Sequence, residues 1–173
     1  MLLNSKILLM RFLLLLLLTA GVSACGFHLR GAVEVPAALK ETRIVGVAEF
    51  APLSLQLKKV LTSAGSTVLP ATAKTASTIS IRNELYDRRV LSVDAQGRVA
   101  EYELIYSFDF NVSDETGALL VPSQKITLTR DYRFDPNNVL AKDAEEAQIR
   151  KDMIEFAVRQ LMRRIDANLK RKS

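Results

Sequence analysis

Cys25 is the residue of this chain whose type and position most directly suggest covalent chemistry. It is the only cysteine, and it follows an apolar run at residues 12–18 and small residues at 23–24. Lys6 and Arg11 are the only charged residues before it. A charged start, an apolar middle and a small-residue end form the order of a secretory signal. We therefore expect the residues before Cys25 to direct export, and the cysteine to tie the mature protein to a membrane.

A retained membrane helix is the alternative for the first 24 residues. A spanning helix needs roughly 20 predominantly apolar residues. Arg11 interrupts this segment, and residues 12–18 alone are too short. The alternative for Cys25 is a buried free thiol. As the only cysteine it cannot form an intramolecular disulfide.

Residues 22–25 resemble a bacterial lipobox. This resemblance implies that a diacylglyceryl group is attached to the thiol of Cys25, that residues 1–24 are removed, and that the new amino terminus is acylated. Several acyl chains anchor firmly because each buried methylene contributes about 0.8 kcal/mol. Gly26, rather than an aspartate, follows the cysteine, and resemblance to Gram-negative lipoproteins then implies the outer membrane.

The remainder of the sequence lacks the groupings of an enzyme active site. His28 is the only histidine, so no histidine metal cluster can form, and we expect this side chain to contact a partner or to lie solvated. Neither a nucleotide-binding glycine loop nor a nucleophile elbow occurs. Asp87, Asp94 and Asp114 are associated with turns, where carboxylates are usually structural. We predict no catalytic activity, no metal site and no cofactor.

Basic residues form the most prominent polar grouping of the mature chain. Four lie on or near one predicted hairpin, and four come from the next strand and the start of the last predicted helix: Arg82, Arg88, Arg89 and Arg98, and Lys125, Arg130, Arg133 and Lys142. Arginine pairs bidentately with phosphate, and lysine acts as a point charge. Such a grouping could receive an anionic lipid head group. The alternative is a solvated sheet face with scattered charges.

The overall charge balance favours neither nucleic acid nor a strongly acidic partner. The formal net charge of the full chain is +5, which allows a weak attraction to an anionic membrane surface. The 173 residues leave enough mature chain for one domain with a real core. We predict a single domain over residues 25–173, with an amino-terminal tether over residues 25–40.

Apolar periodicity predicts the elements that position these residues. Residues 101–112 form the clearest strand, because apolar and polar residues alternate with the period of two of a sheet with one buried face. Its predicted core residues are Tyr102, Leu104, Tyr106, Phe108, Phe110 and Val112. The other predicted strands span residues 42–47, 78–91 and 119–134, with Ile79, Ile81, Leu85, Ile126, Leu128, Tyr132 and Phe134 facing the core, and residues 67–69 are a candidate short strand in addition.

Two stretches show the spacing of amphipathic helices. Residues 53–64 place one apolar stripe on a helix, and Gly65 follows as a cap. Residues 140–168 predict a long terminal helix with acidic residues near its start and basic residues near its end, which complements the helix dipole. The element order predicts an α+β fold in which two helices pack on one face of a mostly antiparallel, roughly four-stranded sheet.

Several motifs together resemble the LPS-assembly lipoprotein family LptE. The most specific is the segment at 25–31, Cys-Gly-Phe-His-Leu-Arg-Gly. Shorter matches occur at residues 100–102, 133–137 and 140–143, in the same order of elements. The turn at 96–99 departs from the family's pattern, because Ala95 stands where a basic residue can precede the glycine. Arg98 is a possible substitute there.

This resemblance implies a function. Members of the family sit as a plug inside the barrel of the outer-membrane protein LptD, and the two proteins together insert lipopolysaccharide into the outer leaflet. On this basis we predict lipopolysaccharide contacts at Arg88, Arg89, Arg98 and Lys142. Phe27, His28 and Arg30 are predicted to contact the barrel near its rim.

Two other functions are consistent with a lipid-anchored chain. One is a free, periplasm-facing lipid carrier that would hold acyl chains in an internal apolar cavity. The other is an anchored hydrolase, which the residue inventory disfavours. A carrier should show more strands and more apolar residues than one sheet face can bury.

Overall fold

The computed structural model describes Arg11 and residues 36–171. The chain divides into two compact units, Met1–Gly31 and Ala32–Ser173, and the account below concerns the second. Within the described residues no helix is long and apolar enough to cross a membrane. The predictions for the signal sequence, Cys25, Phe27, His28 and Arg30, and for the tether before residue 36, lie outside the described residues.

Every helix and strand predicted from the sequence occurs, with ends shifted by three residues or fewer. After a short 3₁₀ helix at Ala37–Leu39, the elements are β1 (Glu41–Val45), α1 (Pro52–Ser63), β2 (Thr67–Leu69), β3 (Ser77–Val93), β4 (Val99–Ser113), β5 (Leu119–Arg133) and α2 (Val139–Lys170). Pro52 occupies the first turn of α1, where its missing N–H costs nothing. Gly65, with φ +94°, follows the end of that helix.

The sheet corrects the predicted fold class. It contains five strands in the order β2-β1-β3-β4-β5, rather than four. It is mixed, because β1 runs parallel to both β2 and β3, whereas β3, β4 and β5 are antiparallel. The physical reason is that α1 crosses between β1 and β2 and returns the chain in the same direction. Residue patterns identify each strand but do not reveal this pairing.

The core lies between one face of the sheet and the two helices. Alternate residues of β4 are at most 1% exposed, as the sequence predicts: Leu104, Tyr106, Phe108, Phe110 and Val112. Against them pack buried residues of α1 and α2, which are Leu53, Leu57, Leu61, Met153, Ile154, Ala157, Val158, Leu161, Met162 and Ile165. Full burial of each large apolar side chain contributes about 1.5–3 kcal/mol. The apolar face of β4 and the buried stripe of α2 are therefore the two main contributions to this core.

A bulge in β3 corrects the prediction that Leu85 faces the core. Arg82 pairs with Asp109 and Leu85 with Ser107, so two residues of β3 oppose Phe108 alone. Asn83 takes the left-handed conformation there, with φ +53°, which asparagine tolerates. The extra residue reverses the alternation, so Leu85 is 53% exposed. Tyr86 and Arg88 consequently turn to the helix side.

Gly46 ends β1 and directs the chain away from β3. Its φ is +84°, and a Cβ at this position would overlap the backbone carbonyl of Ile81. Both the left-handed backbone and the close approach require glycine. As a result β1 pairs with β3 only as far as Val45 and Ser80.

We predict that Gly46→Ala lowers the free energy of unfolding by roughly 3 kcal/mol or more, because the new methyl group must displace the backbone of β3. Urea denaturation followed by circular dichroism measures this. Gly117→Ala is the matched control, since Gly117 has φ +90° but open space around it, and should cost only about 1 kcal/mol. Equal losses in both variants would contradict a steric role for the Ile81 contact.

Candidate functional site

The carboxylate of Glu146, on the second turn of α2, collects three hydrogen bonds from the sheet. Tyr132 of β5 and Arg88 of β3 each donate to Oε2 at 2.8 Å. Tyr86 of β3 donates to Oε1 at 3.0 Å. One acidic side chain therefore fixes the start of α2 to β3 and β5.

Burial and hydrogen bonding oppose each other at this carboxylate. Burial pushes the pKa of Glu146 upward, but hydrogen bonds from Tyr132, Arg88 and Tyr86 outweigh it, so the pKa lies below its ordinary value. Burial, followed by the bond to Glu146, raises the pKa of Tyr132 to about 12. The same causes raise the pKa of Tyr86. The group is thus a carboxylate with two neutral phenols and one guanidinium at neutral pH.

Aromatic rings and guanidinium groups extend this cluster. The Arg88 guanidinium lies 4.6 Å from the centroid of the Tyr102 ring, and the Tyr102 and Tyr132 rings stack at 5.8 Å. Arg150, one turn after Glu146, lies 4.6 Å from the Tyr86 ring. Each contact of this kind contributes about 0.5–1 kcal/mol at an exposed site. The bulge in β3 makes the cluster possible, because it turns Tyr86 and Arg88 to this side.

A groove of about 770 Å³ runs between α1 and α2 above the cluster. Its lining is Pro52, Leu55, Gln56, Lys59, Tyr86, Arg88, Asp143, Glu146, Ala147, Arg150, Lys151, Ile154 and Glu155. Apolar side chains are thus mixed with four cations and three carboxylates. The lining of the groove is therefore amphiphilic. Among residues 36–171 no three His, Cys, Asp or Glu side chains are placed to hold a metal ion.

The four predicted lipid contacts occupy separate places on the domain. Arg88 lies on the helix side of β3. Arg89 lies on the opposite face, with Nη2 2.8 Å from Oε2 of Glu103. Arg98 lies in the β3–β4 turn, with Nε 2.9 Å from Oδ2 of Asp94. Lys142 lies on the first turn of α2, with Nζ 2.7 Å from Oε2 of Glu145. The hairpin of β3 and β4 carries three of them, but not on one surface.

A second cationic cluster surrounds Phe156, and of its cations only Arg130 belongs to the basic grouping predicted from the sequence. Three guanidinium groups lie 5.6–5.8 Å from the centroid of the Phe156 ring, those of Arg130, Arg159 and Arg163. The spacing of Phe156, Arg159 and Arg163 at i, i+3 and i+7 places them on one helix face and was available in the sequence. Arg130 joins them only because β5 packs beside α2. The Arg130 guanidinium lies over this ring and donates a hydrogen bond to the carbonyl of Thr129.

Comparisons with known proteins agree over most of the chain. The LptE family model, described as lipopolysaccharide-assembly, matches residues 41–165. The LPS-assembly lipoprotein LptE of Photorhabdus laumondii is 30% identical over 152 residues, which is 88% of this chain and 81% of that protein. Its namesake in Pectobacterium atrosepticum is 30% identical over 158 residues, covering 88% and 80%.

Solved structures show the same fold. The solution structure of an uncharacterized lipoprotein B from Nitrosomonas europaea is 32% identical, with a TM-score of 0.67 over 82% of this chain and 91% of that one. The crystal structure of the rare lipoprotein B from Shewanella oneidensis is 28% identical, with a TM-score of 0.63 over 75% and 98%.

We predict that Glu146→Gln lowers the free energy of unfolding at pH 7 by roughly 1–3 kcal/mol, because hydrogen bonds to a charged group become bonds to a neutral amide. The pKa of Glu146 is lowered by folding. The contribution of the charged Glu146 to the free energy of unfolding is therefore fully present above the ordinary pKa of 4.5. It is lost as the pH falls through the pKa that Glu146 has in the folded protein. Urea denaturation from pH 7 to pH 3 should show the two proteins converging in acid.

Glu145→Gln is the control for this prediction, because Glu145 forms an exposed ion pair with Lys142. Its effect should stay below about 0.5 kcal/mol. A Glu146→Gln deficit that persists undiminished at pH 3 would contradict the role of the charge.

Proposed function

The chain belongs to the LptE family of lipopolysaccharide-assembly proteins, and from this premise we propose that it plugs an LptD-like β-barrel in the outer membrane. Together with that barrel it assists barrel assembly and takes part in inserting lipopolysaccharide into the outer leaflet. The observation that carries the proposal is the family match over residues 41–165. The proposal assigns no catalytic step and no cofactor.

Anchoring at Cys25 is the first part of the proposal. The relatives named above are lipoproteins, and the only cysteine of the sequence directly follows the predicted export signal. Acyl chains on that cysteine hold the protein at the periplasmic side of the outer membrane. Phe27, His28 and Arg30 follow within five residues, so they contact the barrel near its rim.

The surface of the described domain suits a polar lumen. The interior of a large outer-membrane barrel is polar, so a plug must present polar groups. The outer face of β4 carries Glu101, Glu103, Asp109 and Asn111, which are half-buried. The core face is already covered by α1 and α2. The polar outer face is therefore available for the barrel wall.

The four side chains predicted to contact lipopolysaccharide phosphates differ in their exposure and in how tightly they are already paired. The side chains of Arg98 and Arg89 are 64% and 61% exposed, and each holds one carboxylate in an exposed ion pair. Such pairs are worth little, so exchanging the carboxylate for a phosphate costs little. Arg88 shares Glu146 with two tyrosines, and Lys142 is only 20% exposed. Arg98 and Arg89 are accordingly the principal phosphate contacts, and Arg88 and Lys142 contribute less.

We predict that Arg98→Ala or Arg89→Ala weakens binding of purified lipopolysaccharide by roughly fivefold to tenfold, because each removes one charge-assisted bond to phosphate. Fluorescence titration of the full-length protein at several salt concentrations measures this, and the loss should shrink at high salt. Lys170→Ala is the control, since Lys170 forms an equally exposed ion pair with Asp166 at the far end of α2. A loss as large in the control would assign binding to overall charge.

Purification of the tagged protein from detergent-solubilised outer membranes tests the proposal as a whole. We expect a large β-barrel protein at about one-to-one stoichiometry, identified by mass spectrometry. Recovery of the protein alone, loaded with acyl lipid, would contradict the plug and support the lipid carrier. Cys25→Ala tests the anchor separately: it should abolish acylation, whereas retention of the barrel would show that the plug acts without it.

A further inference from the structure

Most of β3 has an open edge. On one side β4 pairs with it along its whole length, but on the other side β1 stops at Val45, opposite Ser80. Among residues 36–171, no strand continues that pairing beyond Ser80. The second half of β3, up to Val93, therefore presents one side of its backbone to solvent, as an edge strand does.

The backbone groups of three residues face this open side. The N–H of Arg88 donates to the carboxylate of its neighbour Asp87 at 2.9 Å, rather than to the β4 ladder. The pairing with β4 is unbroken from Leu85 to Val90, and residues of an antiparallel ladder alternate in the side to which they bond. The N–H and C=O groups of Tyr86 and Val90 therefore point outward with those of Arg88.

The opposite edge of the sheet is protected differently. On β5, Pro122 lacks a donor, Lys125 places a charge at the edge, and Arg164 of α2 donates to the Lys125 carbonyl at 2.8 Å. These are the features by which proteins prevent edge pairing. The open half of β3 has no proline or lysine. Its bulges flank the regular stretch from Leu85 to Val90. Beside the charged residues Asp87, Arg88 and Arg89, it carries exposed aliphatic side chains: Leu85, Val90, Leu91 and Val93, each 49–57% exposed.

We propose that the open edge of β3 pairs with the same edge of a second copy of this chain, in antiparallel register centred on Arg88. Arg88 then faces Arg88 of the second copy, and Tyr86 faces Val90 in both directions. These three positions are the ones with outward backbone groups, so the pairing forms about six hydrogen bonds. The sheet becomes continuous across a two-fold axis, as an isologous dimer requires.

The side chains of β3 match this register. Asp87 lies directly opposite Arg89 of the second copy, and the symmetry makes this opposite-charge pair twice. Both belong to non-hydrogen-bonded positions, where side chains approach most closely. The two Arg88 side chains carry like charges, but each is paired with its own Glu146 at 2.8 Å. Asp87 gives up its bond to the Arg88 N–H, and the second copy's carbonyl takes its place.

We expect this dimer to be weak and to form when the protein is not bound to a barrel. Two strand edges bury less than the roughly 1,200 Å² of a standard stable interface, so we expect dissociation constants on the order of 10–100 μM. The inference rests on β3 alone, and it stands or falls independently of the plug proposal. A one-to-one complex with a barrel is compatible with it, because barrel binding would replace the second copy.

Charge exchange at positions 87 and 89 tests the register. Sedimentation velocity of the full-length protein in density-matched detergent, from about 5 to 500 μM, should show the wild type shifting from monomer to dimer. Asp87→Arg leaves two arginines facing two arginines, and Arg89→Asp leaves two aspartates facing two aspartates. Each variant alone should weaken dimerisation by about tenfold or more.

Mixing the two charge variants supplies the decisive measurement. An equimolar mixture of the two variants should dimerise at wild-type concentrations, because each arginine then faces an aspartate, and this recovery also shows that both variants are folded. The double variant Asp87→Arg/Arg89→Asp should dimerise by itself. Asp131→Arg, on the opposite edge at β5, should leave the wild-type behaviour unchanged. A wild type that stays monomeric at about 500 μM, or a mixture no better than its components, would overturn the proposal.

Discussion

The buried face of β4 is the constraint on which this structure depends. Five alternate residues from Leu104 to Val112 are almost completely excluded from water, and only the two helices can cover them. β4 lies between β3 and β5, so the polar residues between them must form the opposite face. That arrangement leaves the domain with one dry face under α1 and α2 and one polar face. The proposed plug role would place this polar face against the wall of a polar lumen.

The bulge at Asn83 determines which side chains of β3 face the helices. Without it, Leu85 would continue the apolar alternation of Ile79 and Ile81, and the groove between the helices would have an aliphatic floor. The inserted residue instead turns Tyr86 and Arg88 under α2. A guanidinium at that position needs a partner, and Glu146 provides it while also accepting bonds from two tyrosines. The same cluster occupies the Arg88 guanidinium with Glu146, whereas Arg89 and Arg98 each hold a carboxylate only in a more exposed ion pair.

The two sheet edges differ for an equally local reason. Gly46 brings the backbone of β1 against Ile81 and turns the chain away, so β3 extends beyond its neighbour on that side. At β5, a proline and two basic side chains occupy the corresponding edge. An open edge lined by aliphatic residues is a site for adding a strand. The proposed pairing with a second copy makes use of this difference between the two edges.

The sequence by itself determined the elements, the core face of β4 and the family, because each rests on local periodicity or on a contiguous motif such as the one at residues 25–31. It did not determine that β1 joins the sheet in parallel, that Leu85 points outward, or that Arg88, Tyr86 and Tyr132 share Glu146. These depend on strand pairing and on contacts between residues up to 60 positions apart. Periodicity indicates which residues of one strand share a face. A bulge and the identity of the partner strand become evident only when both strands of the ladder are in place.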